Sequence, residues 1–258
     1  MQIKKYPMKK VIVVGIALLA IFAGIISYRM LVNKQLGNAR IEESRKQKEN
    51  IILQNLNKFN INHESINILV TVYKAENVLE IHAKNEQDEI YERIISYAVC
   101  SRSGVLGPKR QAGDKQVPEG FYYIDRFNPL SSFYLSLGIN YPNDADKIKS
   151  TAENLGGDIF IHGSCSTVGC VPMTDDKIKE IYLYALYARE NGQAKIPVYI
   201  FPFKMNDANW KRYKNEYQDN EMLISFWENV KQGYDKFIEE QKELSIEVDN
   251  NGDYLFIK

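Results

Sequence analysis

The chain has only three histidines and three cysteines in 258 residues. One histidine and two of the cysteines fall in the stretch IHGSCSTVGCVPM, Ile161 to Met173. A thiol becomes an effective nucleophile when a base takes its proton and hydrogen-bond donors await the oxyanion that follows. His162 and Cys170 lie eight residues apart with a turn between them. A strand ending at His162 and a helix starting after Met173 would bring both side chains to one sheet edge. Gly169 removes a side chain beside Cys170, so the N–H groups of Gly169 and Cys170 are the candidate oxyanion donors. A helix N-terminus a few residues beyond Cys170 would favour its thiolate.

The same residues have other uses. His162 and Cys170 can both be core residues. A zinc site from His162, Cys165 and Cys170 lacks a fourth ligand at a usual spacing, and the chain has no Cys-x-x-Cys. A Cys165–Cys170 disulfide would silence the nucleophile. A bridge from Cys100 to Cys165 is the expected pairing if one forms; otherwise both are buried thiols.

The elements that must position this stretch are legible around it. INILVTVY, from Ile66, and NVLEIHA flank a turn at Lys74 to Asn77 and read as a hairpin, with RIISYAVC as a third strand. SGVLGPKRQAGDKQVPEG is a Gly- and Pro-rich loop segment. FYYI, DIFIHG and KIPVYIFPF read as strands. TDDKIKEIYLYALYARENG reads as a helix, with Thr174 as N-cap, acids in the first turn, and Asn191-Gly192 as its stop. The tail from Asn206 reads as amphipathic helices ending in a short hairpin around Asn250-Asn251-Gly252. The expectation is a mainly β (α+β) domain with peripheral helices.

Lys plus Arg and Asp plus Glu both number 33, so no basic excess points to nucleic acid. The N-terminus is set apart. Lys4, Lys5, Lys9 and Lys10 precede the apolar run Val11 to Ile26. At helical rise, the eighteen residues from Val11 to Tyr28 span roughly 27 Å, near the lower limit for crossing a hydrocarbon core. The lysines place the N-terminus in the cytoplasm and the rest of the chain outside it. A cleaved signal peptide is the competing reading, without a convincing small-residue cleavage site. The expected organisation is a cytoplasmic and transmembrane anchor over 1–32, a polar helical stalk over 33–65, a catalytic domain over 66–210 and a helical extension over 211–258. In an oxidising compartment an odd cysteine count leaves one thiol over.

His162-Gly163 followed by Thr167-Val168-Gly169-Cys170 resembles the signature of the L,D-transpeptidases, the YkuD-type domain. VPEGFYYI, Val117 to Ile124, resembles the Thr-Pro-x-Gly-x-Tyr element of the same domain. SGVLGPK, GDKQVPEGFY, SSFYLSLGINYPN, HGSCSTVGCVPMTD and IFPFKMNDAN resemble its YafK-like branch, in the same order. The resemblance covers roughly residues 68–210. Val168 stands where most members have a second histidine, Pro172 where many have Arg or Asn, and the spacer after His162 is short. The branch shares the short spacer and the missing histidine.

The resemblance implies a β-sandwich-like catalytic domain. Cys170 is its nucleophile and His162 its base, Gly163 and Thr167 position the histidine, and Gly169 contributes to the oxyanion hole. It implies attack on a peptidoglycan stem-peptide carbonyl at diaminopimelate, loss of D-Ala, and a thioester that passes to an amine. Transfer to water instead gives a carboxypeptidase, or an amidase that detaches wall-linked protein. An inactive, anchored wall-binding module is the non-enzymatic reading. No metal or organic cofactor is implied. On the Gly-rich loop, Lys109 and Arg110 are candidates to receive a substrate carboxylate. Tyr141 is a candidate groove wall.

Overall fold

The structure, a computed structural model, describes residues 8–257, and for 8–21, 24, 32 and 33 the backbone alone. Among these residues eight strands form one sheet: β1 (Ile66–Tyr73), β2 (Val78–Asn85), β3 (Glu92–Ala98), β4 (Gly120–Asn128), β5 (Ser136–Ile139), β6 (Phe160–His162), β7 (Val171–Pro172) and β8 (Ile196–Phe201). Their order is β3-β2-β1-β8-β4-β5-β6-β7. β1 pairs with β8 in parallel, as does β6 with β7, and the other neighbours are antiparallel. The expected α+β domain with peripheral helices forms, and in place of the expected sandwich-like pairing its main β part is one sheet with helices on both faces.

The alternation in β1 shows why both faces need cover. Ile68, Val70 and Val72 enter one buried cluster, and Leu69 and Tyr73 the other, because successive side chains of a strand point to opposite faces. The first cluster is closed by α1 (Met8–Lys58) and α3 (Asp175–Glu190), through Ile52, Leu56, Ile178 and Ile181, while α2 (Asp144–Lys149) is a short helix between β5 and β6. The second is closed by α5 (Glu221–Glu240), through Phe226, Trp227, Val230 and Phe237. α4 (Asp207–Glu216) lies beside it, with Tyr213 stacked on Phe203 at 4.2 Å. β9 (Ser245–Val248) and β10 (Tyr254–Ile257) form the terminal hairpin. α3 begins at the expected cap, Thr174 Oγ1 accepting from Lys177 N, and ends at Asn191 with Gly192 at φ +98°.

α1 runs through the segment expected to be a polar helical stalk. Its C-terminal half docks on the domain. Lys48, 8% exposed, reaches Asp176 at 2.7 Å and Glu180 at 2.9 Å on α3. Arg40 donates to three carbonyls of one loop, Pro129, Ser131 and Tyr134, at 3.1, 2.8 and 2.6 Å. Ser44, Lys48, Ile52 and Leu56 recur every fourth residue and form a narrow buried stripe. Half of that stripe is polar, which hides it from a reading based on hydrophobicity. The expected membrane span, Val11 to Ile26, falls largely on residues whose side chains lie outside the described ones. Among the described residues, no helix is long and apolar enough to cross a membrane.

Candidate active site

His162 closes β6 and Pro172 closes β7, and the two are paired in register. Cys170 stands just before β7, opposite Phe160, so strand pairing brings the thiol beside the backbone that leads into the histidine. Phe160 N donates to Cys170 Sγ at 3.4 Å, and the thiol donates to the carbonyl of Asp158 at 3.6 Å. Both are backbone partners; the imidazole is not among them.

His162 is 1% exposed. Its Nδ1 meets the carbonyl oxygen of Gly163 at 2.5 Å. A carbonyl only accepts, so Nδ1 carries the proton and Nε2 keeps its lone pair, the state a general base needs. The ring of Phe133 lies over the imidazole, with centroids 4.5 Å apart. Burial lowers the histidine's pKa below its ordinary value, partly opposed by the Gly163 bond. Burial raises that of Cys170, and the charge of Asp158 adds to this, while Phe160 N–H and the charge of Lys109 oppose it. Both shifts favour the neutral forms, thiol and imidazole.

Gly163 is needed where it stands. A Cβ there would lie 2.7 Å from the Phe133 carbonyl and 2.7 Å from Asp175 Oδ1. That carboxylate already accepts from Ser164 N at 2.8 Å and fixes the turn after His162. Thr167 acts on the cysteine rather than the histidine. Its Oγ1 accepts from Cys170 N at 3.0 Å and donates to Cys170 O at 2.8 Å. Gly169 has φ +102°, and a Cβ would come 3.0 Å from Gln116 O. The expected oxyanion donors are occupied. Gly169 N–H is held by Ser103 Oγ at 2.7 Å and Cys170 N–H by Thr167. These N–H groups are open to an oxyanion only if the hydroxyls leave.

Cys100 and Cys165 form a disulfide, and Cys170 is the free thiol. The bridge ties the segment after β3 to the loop between His162 and Cys170. Lys109, Arg110 and Tyr141 are committed inside the protein. Lys109 Nζ lies 2.6 Å from Asp114, and Arg110 Nη1 lies 3.0 Å from Asp146. Tyr141 is 5% exposed and donates to the carbonyl of Leu155 at 3.2 Å. They shape the loop beside the thiol, and the charge of Lys109 reaches Cys170.

A cavity of about 340 Å3 opens at Cys170, and α4 builds its far wall with Arg212 and Tyr213. Sequence reading missed Ser103, Phe133 and this wall. Ser103 and Phe133 sit in the segments SGVLGPK and SSFYLSLGINYPN, whose likeness to the family was the only signal for them. Nothing in the sequence brings α4 to the thiol. Behind the cavity, Lys74 and Glu119 form a buried ion pair at 2.8 Å. Glu119 also accepts from Gly107 N–H and from Trp227 Nε1 of α5, so one carboxylate joins the loop to the C-terminal helices.

The YkuD family, the L,D-transpeptidase catalytic domain, matches residues 67–237, which takes in α4 and most of α5. YafK of Escherichia coli strain K12, a protein that carries an L,D-transpeptidase name, is 37% identical over 194 residues, 74% of each chain. Its counterpart in strain O157:H7 matches equally. The crystal structure of the helical cell shape determining protein Pgp2 from Campylobacter jejuni superposes with a TM-score of 0.43 at 17% identity, over 72% of this chain and 74% of that one. That is too distant to bear on the site. The family match over most of the chain and the close relative agree with a free thiol and a base-ready histidine on neighbouring strands: the chain belongs to the L,D-transpeptidase family, with a YkuD-type catalytic domain.

Proposed function

We propose that this protein is a cysteine acyltransferase of peptidoglycan. His162 Nε2 takes the proton of Cys170. The thiolate attacks the stem-peptide carbonyl of diaminopimelate, and the C–N bond to D-Ala breaks. The leaving amine takes the proton from His162, and the enzyme holds a thioester. An acceptor amine then attacks that thioester, loses a proton to His162 and frees the thiol. The observation that carries the reading is the pairing of opposites on one strand pair: a free thiol open to a cavity and a histidine whose Nδ1–H is pinned, leaving Nε2 as base.

The N-terminal segment is read as a membrane anchor that holds the domain outside the cytoplasm, in the periplasm or beyond. Four lysines before the apolar run support this, as does the Cys100–Cys165 disulfide, which suits an oxidising compartment.

The test incubates the full chain in detergent with purified sacculi carrying wall-linked lipoprotein, then reads muropeptides by mass spectrometry, with Cys170→Ala beside it. Loss of D-Ala with new 3→3 dimers is expected. Tripeptides without dimers would replace the acceptor amine by water. Release of protein remnants without dimers would make the enzyme a detaching amidase. Sacculi identical to the Cys170→Ala control would overturn the enzymatic reading.

A further inference from the structure

Four charged side chains border the cavity at Cys170, and one is already neutralised: Lys74, held by Glu119. The others are Arg102, on the segment after β3, and Arg212 and Glu216 on α4. All three are exposed. Arg212 and Glu216 face each other at 4.0 Å, with side chains 69% and 51% exposed. A solvent-exposed pair of that length is weak and exchanges partners readily. The rim thus offers two guanidinium groups and one carboxylate to whatever enters beside the thiol. Val99 and Val171 supply apolar surface in the same cavity. Its 340 Å3 is at the small end of ligand sites, which run from roughly 300 to 1,000 Å3. That is room for one amino-acid side chain and its head group rather than a glycan strand.

We propose that Arg102, Arg212 and Glu216 form a subsite for a zwitterionic amino-acid head group at the end of an aliphatic side chain. The carboxylate sits between the guanidiniums, where planar bidentate contacts are available. The ammonium takes Glu216, and the methylenes lie on the valines. This inference rests on the reading of Cys170 as the nucleophile that works on stem peptides, and it names how that site chooses its substrate. The side chain of diaminopimelate carries both charges on one carbon, so α4 becomes the element that reads it.

The experiment uses the full chain with Cys170→Ala in detergent, titrated calorimetrically with three stem tetrapeptides. One has the free diaminopimelate head group, one has its carboxylate amidated, and one has its amine acetylated. Amidation is expected to weaken binding about tenfold or more. The same amidation should have little effect once Arg212→Ala is added. Acetylation should weaken binding in the same way, and Glu216→Gln should remove that discrimination. Both positions are exposed, so the variants keep the fold, and circular dichroism checks this. Equal binding of all three peptides would overturn the subsite. So would an Arg212→Ala variant that weakens every peptide alike, or a failure of any peptide to bind. If those results came with Cys170-dependent changes in sacculi, the subsite falls and the proposed function stands. If the peptides are discriminated as expected but the sacculi stay unchanged, the subsite stands and the proposed function falls.

Discussion

Cys170 stands just before β7, opposite Phe160, and His162 closes the partner strand β6, yet their surroundings are opposite. The histidine lies under Phe133, fixed by the Gly163 carbonyl and almost sealed from solvent. The cysteine is only partly buried and opens to the cavity lined by Arg102 and Arg212. The two are also held from different directions. The loop over His162 is gripped by Arg40 of α1, whereas the cavity at Cys170 is walled by α4. The histidine is held in one orientation and the thiol is left accessible, a contrast that suits the proposed roles of base and nucleophile. A general base acts over one short proton transfer and gains from rigidity, while a nucleophile must admit a substrate.

The largest expected effect comes from removing the accessible partner. Cys170→Ala should lower turnover on sacculi by on the order of 10⁴-fold or more, and Cys170→Ser should restore little of it. Activity within tenfold of wild type would place the nucleophile elsewhere.

Removing the oriented partner comes next. His162→Gln should reduce turnover about 10²- to 10⁴-fold while stem-peptide binding is kept. The pH profile carries the same contrast. Because the pKa of His162 lies below its ordinary 6.5, the neutral base persists as pH falls through that value. The acid limb of kcat/KM should therefore lie below 6.5, and His162→Gln should abolish it. Because the thiol is raised above its ordinary 9.0, alkylation of the substrate-free enzyme should keep accelerating beyond that pH. A plateau of alkylation near neutrality would instead show a resting thiolate–imidazolium pair.

The disulfide joins the two regions, because Cys165 stands on the loop between them. It closes a separation of 65 residues. Replacing both cysteines by serine should cost about 2–4 kcal/mol of stability, read as a lower Tm, with activity reduced but present. Unchanged stability would mean the loop is held by its hydrogen bonds to Asp175, Cys170 and Ser103 without help from the bridge.

The smallest effect should come from loosening the cover on the histidine. Phe133→Ala lets water reach the ring, so the acid limb should move up toward 6.5, with turnover falling on the order of tenfold. Arg40→Ala should give the same shift more weakly, since it acts through the loop. An unmoved acid limb in both variants would show that Phe133 does not set the environment of His162.

The local parts of this protein were legible in the chain. β1 and α3 appear where alternation, the Thr174 cap and the Asn191-Gly192 stop put them. The candidate site was legible too, because a rare histidine and two rare cysteines crowd one glycine-rich stretch, and its resemblance to a family suggested their roles. What misled were residues whose partners are remote. Lys109 and Arg110 read as free cations on a loop, and the fold gives each an internal carboxylate. Thr167 read as a support for the histidine, and its hydroxyl closes the backbone of Cys170. The docking of the segment 33–65 went unread, since half of its buried stripe is polar.

Spacing along the chain thus determined the strands, the helix caps and the stretch that holds the candidate thiol and histidine, because these depend on neighbours within a few residues. Only the tertiary structure decided which charges are spent, which N–H groups are occupied, and which remote elements surround the pair. Phe133 reaches His162 from 29 positions upstream and Arg212 reaches the Cys170 cavity from 42 positions downstream. The burial that lowers one pKa and raises the other belongs to the packed sheet and helices rather than to any segment of sequence.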